Sequence, residues 1–208
     1  MLILKEGLAV TSLERVTKCL RFEEPDRVPV YPLLAGATRR LVNASYYDWA
    51  NDADICAAAY IKAAEQFRLD DICTLTDLSV EAADFGAEII YPENEAAHPD
   101  YTKRLIKSVE DYRKIAPVDP RKSRRMSEHI KLCRKLVEAK GKELPIIAFT
   151  FGPLGILSML RGQEQMFMDL VLEPDAVKYA LSAITETLMD YYDALMDTGV
   201  HAVMIDTL

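Results

Sequence analysis

The chain has 208 residues, half of them apolar, enough for one domain-sized hydrophobic core. Its 33 acidic residues outnumber the 25 basic ones, a net charge of −8. That balance excludes nucleic acid as the main partner, since phosphate binding needs a surplus of Lys and Arg over one face. The opening MLILKEGLAV is too short an apolar run for a leader peptide and meets Lys5 early. No later stretch approaches the roughly 20 apolar residues of a membrane span. Cys19, Cys56, Cys73 and Cys133 lie far apart without a C-x-x-C, as reduced thiols of a cytoplasmic protein do.

Thr11 and Glu14 form a capping box, in which hydroxyl and carboxylate satisfy each other's backbone donors. The helix it opens carries Leu13, Val16 and Leu20 on one face and ends near Phe22, before Glu24-Pro25-Asp26. The apolar run VPVYPLL predicts a first strand over 28–34, although its interior prolines suit only an edge or a strand start. Asn51-Asp52 then leads a helix whose apolar surface runs from Ile55 to Phe67. DICTLT predicts a second strand over 71–76, followed by a short helix over 79–85 that Gly86 closes. EIIYPENEAAHPDY and RLIKS read as an excursion, a small hairpin and loop. Asp119-Pro120 is expected to start a helix reaching about Lys140, where Gly141 ends it. PIIAFT predicts a third strand over 145–150, then a turn at Phe151-Gly152-Pro153 and helices over 154–161, 163–172 and 174–197. VHAVMI predicts a fourth strand over 200–205.

Alternating strands and helices with nearly continuous apolar strands imply a parallel α/β sheet. Functional groups in such sheets sit just past the carboxyl ends of strands. Asp77, Phe151-Gly152 and Asp206 all occupy such places. Asp77 could serve a ligand or cap the following helix, and Asp206 could do the same at its own strand end. Phe151-Gly152 could present backbone N–H groups or simply form a turn that uses glycine's freedom. His129 and Cys133, four apart on a helix, point the same way as metal ligands would, but lack a third partner and suit a packing face. His98 and His201 read as structural, and the Met-rich MLRGQEQMFMDL as core filling. The cations of RKSRR, residues 121–125, crowd a helix start where the macrodipole disfavours them, so they read as a solvated patch. A sheet ending on a fourth apolar strand would leave an edge bare. A (β/α)8 barrel needs about 250 residues, so the expected fold is the N-terminal half of such a TIM barrel, about four βα units, cut after the fourth strand.

TSLERVTKCLRFEEPDRVPV resembles the opening of the uroporphyrinogen decarboxylase superfamily, with its capped helix and E-x-P-D-R-V-P turn. DICTLTDLSVEAADFGAEI resembles that family's second strand and acid, PIIAFTFGPLGILSML its third strand and G-P turn, and GVHAVMIDTL its fourth strand. The resemblance spans 1–208 as one domain and implies part of a (β/α)8 barrel. In the decarboxylase branch the acid after strand two, matched here by Asp77, holds pyrrole N–H groups, and an R-Q-A-G-R-Y stretch meets substrate carboxylates. Here AGATRRLVNASYYDW stands in its place, with Arg39 and Arg40 out of register, which is more similar to the methylcobamide-dependent methyltransferase branch. That branch implies methyl transfer between a methylated corrinoid and a thiol or other acceptor, a corrinoid protein partner, and zinc on a late His-x-Cys and a further Cys beyond Leu208, with no metal ligand in this segment. The resemblance implies Asp77 as catalytic; Phe151, Gly152 and Asp206, by their place after strand ends, and Arg39, near the stretch after strand one, are the substrate-binding candidates. Cofactor-free decarboxylation of a tetrapyrrole and a non-catalytic tetrapyrrole- or corrinoid-binding module are the alternatives. Open sheet edges suggest a homodimer.

Overall fold

The computed structural model describes residues 10–207; the reading of MLILKEGLAV therefore lies, but for Val10, outside the described residues. Helix α1 (Ser12–Leu20) starts at the expected capping box, with the Glu14 amide on Thr11 Oγ1 at 3.1 Å and the Thr11 amide on Glu14 Oε2 at 2.8 Å. The predicted first strand is not a strand. Pro29 and Pro32 have no N–H to give, so residues 28–34 form no ladder. A single reciprocal contact remains: Val30 donates its N–H to Asp70 Oδ2 at 2.7 Å, and the Asp70 N–H returns to the Val30 carbonyl at 3.1 Å.

A 3-10 helix (Ala35–Val42) follows, then α2 (Tyr46–Asn51) and α3 (Ala53–Phe67), the last capped by Asp52 as expected. The 3-10 helix and α2 were not foreseen, because neither is long enough to show an apolar period. Strand β1 is short (Ile72–Cys73), and α4 (Val80–Asp84) is closed by Gly86 at φ 107, a conformation few other residues adopt. The excursion is a hairpin of β2 (Ile89–Ile90) and β3 (His98–Pro99), followed by a 3-10 helix (Val109–Lys114).

Helix α5 (Arg124–Lys140) starts later than Asp119-Pro120 predicts. The Asp119 side chain accepts the Arg121 N–H at 3.0 Å in a local turn, which spends it before the helix begins. The start of α5 is capped instead by Asp84 of α4, whose carboxylate accepts the backbone N–H groups of Arg125 at 3.0 Å and Met126 at 2.7 Å. That acid compensates the cations crowding this terminus.

Strand β4 (Ile146–Phe151), helices α6 (Pro153–Arg161), α7 (Gln163–Leu172) and α8 (Pro174–Met196), and β5 (Ala202–Asp206) complete the order within a residue or two of expectation. β1, β4 and β5 form one parallel sheet in the order β1-β4-β5, with Ile72 opposite Ile146 and Phe151 opposite Asp206. This is an α/β fold whose parallel sheet has three strands among the described residues where four were expected. Ile146 and Ala148 are fully buried, whereas the alternate residues Ile147 and Phe149 are only partly so. Helices thus cover one face of the sheet and leave the other more open.

Candidate functional site at the carboxyl rim

Because the three strands are parallel, their carboxyl ends lie along one edge, and Asp77, Phe151-Gly152 and Asp206 all follow those ends. Asp77 is not open to a ligand. Its side chain is fully enclosed, with Oδ1 accepting the Ser79 N–H and hydroxyl at 2.8 Å each and Oδ2 bonded to the Arg125 guanidinium. Ser79 is the residue that precedes α4, so Asp77 braces the helix start much as a cap does. Arg125, 3 % exposed, also donates to Tyr91 Oη at 2.7 Å and to the Ala50 carbonyl at 3.2 Å. It was read from sequence as part of a solvated patch; the structure corrects this, since its guanidinium partners Asp77, Tyr91 and Ala50 come from three separate segments.

The turn after β4 is equally self-contained. The Phe151 N–H donates to Glu81 Oε1 at 3.1 Å and the Gly152 N–H to the Asp206 carbonyl at 2.7 Å, so neither is left for a ligand. A Cβ at Gly152 would approach the Asp206 carbonyl to 3.2 Å, which is why the close approach of β4 and β5 needs glycine. The Phe151 side chain is buried edge-on against Phe149. The Asp206 side chain is exposed. Glu81, 2 % exposed, was missed from sequence; burial pushes its carboxyl up to about 7, and the Asp77 charge adds to that. Its spacing from Asp77, one helical turn on, is the signal that could have found it.

Arg39 lies on the 3-10 helix, away from the strand ends proper. Its guanidinium stacks 5.7 Å from the Tyr46 ring centroid and donates to the Glu93 carbonyl at 2.9 Å. Tyr46, itself buried, donates to the Thr76 carbonyl at 3.2 Å and so fastens this region to the end of β1. In front of Tyr46 is a cavity of about 380 Å³ lined by the 34–37 turn, Arg39, Arg40, Tyr46 and residues 94–96. That volume falls within the range of small-molecule sites. Arg40 is exposed and makes no ion pair among the described residues. Among the described residues, Glu95 is the one acid lining the cavity.

His129 and Cys133 flank Thr74, whose hydroxyl lies 2.6 Å from His129 Nε2 and 3.7 Å from Cys133 Sγ. His129 Nδ1 is bonded to the Tyr191 hydroxyl. Burial holds the imidazole down to about 4 and lifts the thiol to about 12, so both are neutral core groups. Among the described residues no three His, Cys, Asp or Glu side chains converge as zinc requires. His98 bonds its neighbour's carbonyl and His201 accepts the Ile146 N–H, as structural histidines do. Met166 is buried as core filling, whereas Met168 is exposed. The four cysteines are free thiols, and no described helix is long and apolar enough to cross a membrane.

The family model for uroporphyrinogen decarboxylase matches residues 11–207. Methylcobamide:CoM methyltransferase MtbA of Methanosarcina acetivorans is 26% identical over 200 residues, covering 94% of this chain and 58% of that protein. MtbA of Methanosarcina mazei is 26% identical over 199 residues with the same coverage. A solved methyltransferase structure from Methanosarcina mazei superposes with a TM-score of 0.80 at 21% identity, again covering 94% of this chain and 58% of its own, which shows a shared fold. The chain thus spans somewhat over half the length of the curated relatives it matches.

Proposed function

The chain belongs to the uroporphyrinogen decarboxylase family, and from that premise we propose that it forms the acceptor-binding part of a corrinoid-dependent methyltransferase built on a (β/α)8 barrel. The observation that carries this reading is the small cationic cavity in front of Tyr46, where Arg39 and Arg40 meet in a chain whose net charge is −8. Two guanidinium groups beside a cavity of this size suit a small acceptor with an anionic tail, since guanidinium planes match sulfonate and carboxylate oxygens. Arg39 is already oriented by Tyr46 and the Glu93 carbonyl, so little side-chain entropy is lost on binding. Asp77, Phe151 and Gly152 frame the rim in this reading, and Asp206 faces the open side. The methyl group arrives on a corrinoid carried by a partner protein and is substrate here. The described residues do not fit a zinc centre, so no step of the proposal runs through one.

The decarboxylase alternative asks Asp77 to hold pyrrole N–H groups. Its carboxylate is engaged by Arg125 and Ser79, which argues against it. A cavity at the lower end of the range for drug-sized ligands also suits a small acceptor better than a macrocycle. Calorimetric titration with 2-mercaptoethanesulfonate tests the reading. Binding is expected, weakened about tenfold or more by Arg40→Ala or Arg39→Ala, the loss of one charge-assisted contact. No binding, or preferential binding of a tetracarboxylate porphyrin that the same substitutions abolish, overturns it.

A further inference from the structure

Four carboxylates, Asp70, Asp71, Asp77 and Glu81, are buried around the strand ends or entries, and they are not equally supported. Asp70, at the entry of β1, is held by Arg15, Arg27, Ser12 and the Val30 N–H. Asp77 has a guanidinium and two Ser79 bonds. Glu81 faces the Phe151 N–H at 3.1 Å and, among the described residues, has no cation bonded to it. Burying a carboxyl with so little compensation is costly, and an apolar side chain of similar volume would suit the core better. What Glu81 does that an apolar residue cannot is join α4, which follows β1, to the turn that follows β4.

We propose that Glu81 is a positioning residue of the rim: its carboxyl group holds the Phe151–Gly152 turn against α4, and through that turn it sets the Gly152–Asp206 bond that aligns the tip of β5. The turn is gripped from both sides. Glu81 takes the Phe151 N–H, while Tyr192 of α8 donates its hydroxyl to the Phe151 carbonyl at 3.3 Å. One residue later the Gly152 N–H reaches Asp206. The strength of the first grip depends on charge, because a carboxylate is a stronger acceptor than a neutral carboxyl. The groups that set that charge are Asp77 on the preceding loop and Arg125 of α5; the Tyr191 and Tyr192 hydroxyls of α8 lie near it but stay uncharged at neutral pH. Burial and Asp77 oppose ionisation, and Arg125 favours it, so the proton on Glu81 exchanges near neutral pH and the turn tightens as pH rises.

Amide NMR of the chain across about pH 5 to about pH 9 tests this. The Phe151 amide proton is expected to move downfield with a midpoint near neutrality. In Glu81→Gln the amide oxygen still accepts the bond, so hydrogen-exchange protection at Phe151 and Gly152 persists while the titration vanishes. In Glu81→Leu protection falls at both amides. A flat Phe151 amide in the wild type, or an unchanged titration in Glu81→Gln, overturns the proposal; should Glu81→Leu fail to fold, those two measurements decide. The bearing of this contact on a ligand rests on the acceptor-site reading. The amide titration does not, so absent sulfonate binding with an intact Phe151 response overturns that reading alone.

Discussion

Asp77→Asn is the substitution whose outcome the buried ion pair determines most directly. It removes the anion but leaves Arg125, whose side chain is 3 % exposed, with neutral partners only, the Tyr91 hydroxyl and the Ala50 carbonyl. A guanidinium cannot shed its proton, so the charge stays buried and uncompensated. Breaking a buried pair in this way costs about 3–5 kcal/mol. For a domain of this size each kcal/mol is about 2–4 °C in melting temperature, so a drop on the order of 10 °C is expected. Urea unfolding should shift by about 1 M or more, taking a slope of roughly 3 kcal/mol/M. Arg125→Met is expected to cost less, because the carboxyl it strands keeps both Ser79 bonds. An Asp77→Asn penalty under about 1 kcal/mol, or an Arg125→Met penalty as large, would refute the reasoning.

Gly36→Ala would place a methyl group well inside contact with the Tyr46 ring, which is buried and fastened to Thr76. Overpacking of about 1–3 kcal/mol and loss of sulfonate binding are expected together, and a wild-type melt with unchanged binding would show that Tyr46 does not shape the cavity. Asp71 is 4 % exposed, has one oxygen without a partner, and is lifted to about 7 by burial and then by neighbouring Asp70. A raised carboxyl contributes stability that is complete below its unfolded value near 4 and is lost as pH rises through about 7. Asp71→Asn should thus be more stable than the wild type above neutral pH, by up to a few kcal/mol, with the gap closing in acid. Parallel stability profiles from pH-dependent melts would contradict it.

Periodicity and punctuation in the amino-acid order alone determined the capping box at Thr11, the helices after Asp52, Gln163 and Pro174, the glycine stop at Gly86 and the strands around β1, β4 and β5. These are local effects, set within a turn or two of each residue, and they also placed Asp77, Gly152 and Asp206 at strand ends. The missing strand over 28–34 was half-written in Pro29 and Pro32, whose absent donors outweighed the apolar run. What only the tertiary structure decided is who meets whom. Arg125 comes from 48 residues away to neutralise Asp77. Glu81 reaches Phe151 across a separation of 70, and Tyr46 and Arg39 close a cavity against the 94–96 loop. No propensity encodes such meetings, because the energy of a buried charge depends on partners that folding alone assembles.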